Sequence, residues 1–385
     1  MMDGQYPRVV SHEQLRGAEK SAVDAKEKDG ALNWTDDVRI YEYCSAANPD
    51  IPAIPVFVHP PHLHETGDSR IIPFDLSEQL GAEECGNISR TSPNLLASFI
   101  RIIIGDSIQT EAVATSQAFY VIRGDGTSTS MEHGSISWST GDLFVLPKTD
   151  GIVKHTCQHA DEHGAAALYW IHDGPLLHYL GVAPTKKRFN PTHFSRRRLL
   201  DQVEEISHSS NAQHKNRLGV LLGNAATENS TLTLTHTLWS LLNSIAPNTV
   251  QRPHRHNSVA LDLAVSAPWP PGSVYTLMGK EIDSEGNIIH PIRCDWIPGG
   301  VFVTPPGWWH SHHNESNSIA WVLPMQDAGL YTFQRTLDIR FVDDELELHK
   351  KGRIRGSAFQ VTNKQYTEIA NAAANLDIPN FDYGL

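Results

Sequence analysis

A seven-residue segment of the chain occurs twice, with the same pattern of glycine, apolar residues and a closing proline. Gly141–Pro147 reads GDLFVLP, and Gly299–Pro305 reads GGVFVTP 158 residues further on. Each copy is followed by a segment rich in histidine and then by an apolar run, which contains Trp170 in the first copy and Trp321 in the second. Self-similarity at a fixed interval indicates that a structural unit has been duplicated. The sequence therefore predicts two copies of one domain.

Both copies consist of short apolar or alternating runs separated by Gly, Asp and Ser. Frequent short runs of this kind are typical of the strands of a β-sandwich or barrel. We therefore expect an all-β fold with two tandem domains and short peripheral helices. The runs are Phe99–Ile104, Phe119–Ile122, Leu143–Leu146 and Ala165–Trp170 in the first copy, and Thr231–Thr235, Leu238–Ile245, Val301–Val303 and Ile319–Leu323 in the second.

The segments around these runs predict the domain boundaries. The prolines between residues 52 and 61 lack an N–H donor and predict an extended connection. Residues 11–29 tolerate a helix, and the Ala-rich residues 363–376 predict another. The expected order is an N-terminal arm and Pro-rich lead-in (1–94), a first β-domain (95–182), a linker with a short helix near 199–206 (183–228), a second β-domain (229–345) and a C-terminal tail helix (346–385).

Composition excludes several classes of function. The chain of 385 residues has 31 Lys and Arg against 44 Asp and Glu, and a net charge of −13 repels nucleic-acid phosphates and anionic membranes. We assign the basic triplets Lys186–Arg188 and Arg196–Arg198 to a solvated or interdomain face. The four cysteines lie far apart without a C-x-x-C pair, and the N-terminal segment lacks the apolar stretch of a signal peptide. These features predict a cytoplasmic protein with reduced thiols.

Histidines in the second copy predict a metal site. His254 and His256 lie two residues apart in a strand-like segment, so alternation puts both imidazoles on one face. The segment from Gly299 to Asn314 has the spacing G-x5-P-x-G-x2-H-x3-N, which includes His310. This spacing is the second cupin motif, and the His-x-His pair is the core of the first. The chain thus resembles the cupin superfamily.

The resemblance implies two tandem cupin domains, each a double-stranded β-helix or jelly roll with a small interior opening. It also implies that His254, His256 and His310 bind a metal. Cupins usually add a glutamate after the first pair, but Ala260 and Leu261 stand there, so we expect a three-histidine site. Neutral imidazoles suit Fe(II), with Zn, Mn or Ni as alternatives.

Further motifs resemble the gentisate 1,2-dioxygenase family, over roughly residues 50–345. They are Leu96–Ile103, Phe119–Gly126 and Trp308–His312, together with the two-domain layout. The resemblance implies a homo-oligomer active in aromatic catabolism. In this family Fe(II) chelates an aromatic acid through its hydroxyl and carboxylate, and O2 opens the ring. His312, two residues beyond His310, is expected to reach the same opening as an acid/base or orienting group. Trp239 stands where the family has a pocket-lining tryptophan, with a core position as the alternative, and we assign Trp239 and Trp309 as substrate-binding residues.

Two departures from the family concern the metal and the substrate. The positions expected for a His-x-His pair in the first cupin hold Glu111 and Val113, so we expect that cupin to lack a metal. Asp262 stands where the family often has an arginine for the substrate carboxylate, six residues after His256. A carboxylate there repels an anionic acid and favours an amino group or another hydrogen-bond donor. If Asp262 instead faces outward, Arg252 or Arg255 serves as the anion partner.

Two other histidine groups are assigned no metal. His155, His159 and His163 recur at intervals of four but are expected in a loop that connects strands, and His62, His64 and Glu65 in a solvent-facing loop of the lead-in. Two rival functions stay open for the chain as a whole. One is a non-oxidative metal-dependent cupin enzyme (isomerase, lyase or decarboxylase), and the other is a bicupin that binds a small molecule without catalysis.

Overall fold

A computed structural model describes residues 9–10, 38–81, 88–208 and 218–350. The helices expected at 11–29 and 363–376 lie outside these ranges. The chain divides into two compact units, Met1–Pro52 and Ala53–Leu385. In the first unit, strand β1 (Val9–Val10) pairs antiparallel with β2 (Ile40–Tyr41), and helix α1 (Tyr43–Ala46) follows, capped by the Glu42 carboxylate.

The second unit begins with two sheets that form a first barrel. A six-stranded sheet has the order β13-β10-β7-β12-β5-β4, and a four-stranded sheet has the order β6-β11-β8-β9. The strands are β4 (Arg70–Pro73), β5 (Leu96–Ile103), β6 (Ser107–Thr110), β7 (Ser116–Arg123), β8 (Asp125–Ser130), β9 (Gly134–Trp138), β10 (Leu143–Pro147), β11 (Val153–His159), β12 (Ala165–His172) and β13 (Thr192–Phe194).

Two more sheets form a second barrel. The larger has the order β14-β15-β22-β17-β20-β3, and the smaller has the order β19-β18-β21-β16-β23. The strands are β3 (Val58–His59), β14 (Leu218–Leu222), β15 (Trp239–Ile245), β16 (Thr249–His256), β17 (Ala260–Ser266), β18 (Val274–Gly279), β19 (Ile292–Asp295), β20 (Val301–Thr304), β21 (Trp309–Asn314), β22 (Ala320–Gln326) and β23 (Ile339–Phe341).

Short helices lie between these strands. They are α2 (His62–Glu65), α3 (Gly174–Leu180), α4 (Arg196–Ser207), α5 (Ala328–Gln334) and α6 (Val342–Lys350). The expected all-β fold with two tandem cupin barrels and short helices is confirmed. In the described part of the chain, no helix is both long and apolar enough to cross a membrane.

The lead-in and the linker both contribute strands. From the lead-in, β3 pairs with β20 of the second barrel and β4 with β5 of the first. From the linker, β13 pairs with β10 and β14 with β15. These segments therefore complete the sheets in addition to connecting the barrels.

Residues Thr231–Thr235 do not form the expected strand. Hydroxyl groups in this stretch bond to nearby backbone: Thr227 Oγ1 donates to Thr233 O over 2.6 Å, and Thr233 Oγ1 donates to Thr235 O over 2.6 Å. Local hydrogen bonds of this kind compete with strand pairing. The alternating threonines thus form a turn that precedes β15.

The two larger sheets pack against each other and form the main core. Residues of β7 and β12 that face out of the first barrel, such as Tyr120 and Tyr169, belong to one buried cluster with Leu261 and Leu263 of β17. The Tyr169 hydroxyl donates to Leu261 O over 3.2 Å. This contact region fixes the position of β17, one of the strands that line the site described below.

His64 occupies a buried position, so the expected solvent-facing loop was wrong. The residue lies in α2 with 0% exposure, and its Nε2 donates to the Gly299 carbonyl over 3.0 Å. Its own carbonyl accepts from Arg101 Nη1 over 2.9 Å and from the Arg123 guanidinium. Burial lowers the pKa of His64 to about 4, so the ring is neutral at pH 7. The lead-in thereby supports the first glycine of the second motif.

Candidate metal centre

Two paired strands bring three histidines together in the second barrel. Strand β16 pairs antiparallel with β21 and sets His254 opposite His310. Alternation puts His256 on the same face as His254. Each of the three rings offers a nitrogen, and these nitrogens lie within 4.8 Å of one another. His256 and His310 are buried, with exposures of 3% and 2%, while His254 is half-buried.

Backbone carbonyls orient two of the three rings. The Nδ1 of His256 lies 2.8 Å from Ser258 O, and the Nδ1 of His310 lies 3.1 Å from Trp308 O. Because a carbonyl oxygen only accepts, each Nδ1 carries the hydrogen and each Nε2 carries the lone pair. Metal-binding histidines typically donate their second N–H to such a partner. The residues therefore fit a divalent transition metal bound by three neutral imidazoles, a donor set that suits Fe, Zn, Cu or Ni.

A cavity of about 160 Å³ opens beside the histidines. Its lining combines apolar and polar side chains, as is usual for sites that bind small organic molecules. The cavity is lined by Trp239, Leu241, Asn243, Gln251, His254, His256, Asp262, His310, His312, Val322, Pro324, Gln326, Ile339 and Phe341.

Asp262 faces into this cavity. Its side chain is buried, with 4% exposure, and Oδ2 accepts a 2.6 Å hydrogen bond from the Thr304 hydroxyl. Burial raises the pKa of Asp262 to about 7, against an opposing effect of the Thr304 bond. The outward orientation considered for Asp262 is therefore wrong. Near neutral pH the protonated and ionised forms of Asp262 are therefore similarly populated.

His312 also lines the cavity, and a hydrogen-bond chain fixes its tautomer. Trp296 Nε1 donates to Thr276 Oγ1 over 2.8 Å, and Thr276 Oγ1 lies 2.9 Å from His312 Nδ1. The Thr276 hydroxyl is fully buried and accepts from Trp296, and among the described residues His312 Nδ1 is the acceptor that its own hydrogen can reach. His312 Nε2 then carries the ring proton. Its ring centroid is 5.7 Å from that of His310.

Two of the expected substrate-binding residues lie outside the cavity. The Arg252 guanidinium pairs with Asp343 at 3.2 Å and donates to Glu285 O. A register shift between Gln251 and His254 breaks the alternation, turning Gln251 inward and Arg252 outward. Trp309 precedes His310 on β21 and points to the opposite face, where the Arg255 guanidinium lies 5.0 Å from its ring.

Three amide side chains in the cavity were not anticipated from the sequence. Asn243 Nδ2 donates to Gln251 Oε1 over 2.8 Å, and the Ser258 hydroxyl donates to Gln326 Oε1 over 2.8 Å. Alternation could have indicated Asn243 once β15 was recognised, since Leu241 and Asn243 share a face. Gln251 could not be inferred, because the register shift beside it has no clear sequence signature.

The first barrel is filled where the second has its cavity. Phe119 and Phe144 stack at 4.8 Å, and Phe119 and Trp170 stack at 5.8 Å. Glu111 and Val113, at the expected ligand positions, are both solvent-exposed. His155 is fully buried on strand β11, where its ring nitrogens lie 2.8 Å from Thr110 Oγ1 and 2.7 Å from Ser128 Oγ.

His155 and His159 therefore lie on a strand, so the expected loop is wrong for them. The His159 side chain is exposed, away from His155. Among the described residues, the group of side chains that could hold a metal is His254, His256 and His310.

Comparison with known proteins identifies the architecture. No family model matches the chain, and no curated protein matches it. Salicylate 1,2-dioxygenase from Pseudaminobacter salicylatoxidans superposes with a TM-score of 0.55 at 12% identity, over 76% of this chain and 89% of that one. The chain has the bicupin fold. A second structure of salicylate 1,2-dioxygenase, in adducts with gentisate, gives a TM-score of 0.56 at 12% identity over 77% of this chain and 87% of the other.

Proposed function

We propose that this bicupin is a non-haem Fe(II) dioxygenase that cleaves the ring of a hydroxy- or amino-substituted aromatic acid. The observation that carries the proposal is the convergence of His254, His256 and His310 at a small cavity. The similarity in fold to salicylate 1,2-dioxygenase supports the choice of chemistry.

The residues of the metal cavity have two roles, to bind the metal and to exclude water. Nε2 of His256, Nε2 of His310 and a ring nitrogen of His254 would hold the iron. When bound, iron(II) supplies the redox chemistry with O2 that side chains lack. Apolar residues of the cavity, such as Phe341 and Val322, exclude water from the ring of the substrate.

Two groups handle protons. His312 would donate a hydrogen bond from Nε2 to an oxygen of the substrate and so position it, because Thr276 fixes its tautomer. Asp262, with its pKa of about 7, would accept a hydrogen bond from a hydroxyl or amino group or exchange a proton with it. Both are assigned as catalytic residues, and Trp239 and Asp262 as substrate-binding residues.

Oxygen uptake tests the proposal. Protein loaded anaerobically with Fe(II) is mixed with a panel of ortho-hydroxy and ortho-amino aromatic acids, with and without a para hydroxyl. We expect uptake with a subset of the panel, and loss of both iron and uptake in His310→Ala. The matched control is His313→Ala, since His313 points to the other face of β21 and stacks on Tyr275 at 4.7 Å. Stoichiometric iron and full uptake in His310→Ala would refute the site.

A non-oxidative metal-dependent reaction is the second candidate, as isomerase, lyase or decarboxylase with Zn, Mn or Ni. The buried Asp262 favours it, since a carboxyl that titrates near pH 7 suits general acid–base chemistry. Turnover of a substrate without oxygen consumption by the metal-loaded protein would establish this function.

Cytoplasmic location and homo-oligomer formation stay predictions from the sequence.

A further inference from the structure

A second and larger cavity lies between the two barrels. Its volume is about 450 Å³, within the usual range of sites for small organic ligands. The walls are mostly apolar and come from both barrels and from helix α4. The lining residues used below are Tyr120, Gly141, Arg196, Leu242, Leu263 and Trp321.

This interdomain cavity is separated from the metal cavity by one layer of β-sheet. Successive side chains of a strand point to opposite faces. On β17, Asp262 lines the metal cavity while Leu263 lines the interdomain cavity. On β15, Asn243 and Leu242 divide in the same way. The two cavities therefore share strands but no lining residue, and each can be altered separately.

Tyr120 brings a hydroxyl group to the wall of the interdomain cavity. Tyr120 is 5% exposed, and its hydroxyl has no hydrogen-bond partner among the residues that the structure describes. Burial raises the pKa of Tyr120, so the hydroxyl stays protonated and can donate. Because Tyr120 lines the cavity, a ligand there that carries an acceptor could receive this hydrogen bond.

A cation lies at the same side of the cavity. The stem of Arg196 passes so close to Gly141 that an added Cβ there would come within 2.7 Å of Arg196 Cδ. Within the described ranges, the Arg196 guanidinium has no carboxylate within ion-pair distance. The nearby Asp142 carboxylate instead accepts from the Arg196 backbone N–H over 2.8 Å and pairs with His193 at 3.1 Å.

We propose that the interdomain cavity binds a small amphipathic anion, namely an aliphatic carboxylate. Its carboxylate would accept hydrogen bonds from the Arg196 guanidinium and the Tyr120 hydroxyl, both of which are donors suited to that group. Its alkyl chain would lie against Leu242, Leu263 and Trp321, burying apolar surface on both partners. Such a site is independent of the reaction at the metal centre.

Calorimetric titration of the full chain with decanoate tests this proposal. We expect saturable binding of one decanoate per chain. Arg196→Ala should weaken it about tenfold or more, and Tyr120→Phe about fivefold or more, as for hydrogen bonds to a charged group. The matched control is Arg197→Ala, since the Arg197 side chain is 91% exposed and pairs with Asp201 at 3.7 Å. Decanol, which lacks the charge, should bind more weakly than decanoate.

Zn(II) titration of each variant checks that the second barrel is folded, because none of these residues lines the metal cavity. Decanoate binding that does not saturate would overturn the proposal. So would wild-type affinity in both Arg196→Ala and Tyr120→Phe, or decanol binding as tightly as decanoate. Equal weakening in Arg197→Ala would likewise overturn it, since a general loss of surface charge would then explain the effect.

Discussion

The substitution Asp262→Asn in the metal-free protein tests the electrostatics of the metal cavity. Asparagine has nearly the same shape and retains an oxygen that can accept from the Thr304 hydroxyl, but it carries no charge at any pH. The pKa of Asp262 is raised from 3.8 to about 7 in the folded chain because of burial. The folded state therefore binds more protons than the unfolded state between these two values, so the wild type loses stability as pH rises through that range.

The size of the effect follows from the two pKa values. The full interval corresponds to about 4 kcal/mol, at 1.36 kcal/mol per pH unit. Part of this loss has already occurred at pH 5, since Asp262 of the unfolded chain is ionised there. Between pH 5 and pH 7, the stability advantage of Asp262→Asn should therefore grow by about 2 kcal/mol. For a chain of this length, that corresponds to about 2–3 °C in melting temperature.

This prediction is checked by measuring the melting temperatures of wild type and variant side by side from pH 5 to pH 8. Taking the difference removes the contribution of other titrating groups, including the buried Asp327, whose pKa is raised to about 6. We expect the difference to grow up to about pH 7 and then to level off. A difference that is constant over this range would mean that Asp262 is ionised in the folded protein throughout, and would refute a neutral acid in the cavity.

Four further outcomes are expected. His312→Ala should keep the metal but slow turnover about 100-fold, as judged by metal analysis and oxygen uptake on one sample. Thr276→Val, which removes the hydroxyl at His312 Nδ1, should lower the free energy of urea unfolding by about 1–3 kcal/mol. Gly299→Ala should lower it by about 1–2 kcal/mol, because Gly299 has a φ of +79°. As pH falls from 6.5 to 4, the melting temperature of His64→Gln should fall less than that of the wild type. Over this range His64 of the wild type takes up a proton in the unfolded state but stays neutral in the folded state, where its pKa is about 4.

The sequence predicted the features that depend on local residue spacing and on repetition. The repeated heptapeptide led to two β-domains, and the tandem cupin fold is confirmed. His254, His256 and His310 could be grouped because a strand fixes the first pair and the glycine and proline spacing fixes the third. The structure brings all three together with His312, Asp262 and Trp239.

Features that depend on pairing between distant segments were not accessible. His64 became buried only because β3 of the lead-in adds to the second barrel and brings the following helix to Gly299. Arg252 turned outward because of a register shift that no residue pattern marks. Trp309 is a different case, since alternation from His310 was already sufficient to exclude it from the cavity.

The difference between the two barrels comes from one row of side chains across equivalent strands. In the first barrel, Phe119 lies opposite Phe144 on one side and Trp170 on the other. The repeat places Phe302 at the position of Phe144, and Asp262 lies opposite Phe302 and Pro324. Asp262 thus takes the place of Phe119, and Pro324 the place of Trp170. Replacing two large aromatic side chains with two smaller ones leaves space in the same framework, and the carboxyl group that enters this space acquires its raised pKa from the same enclosure.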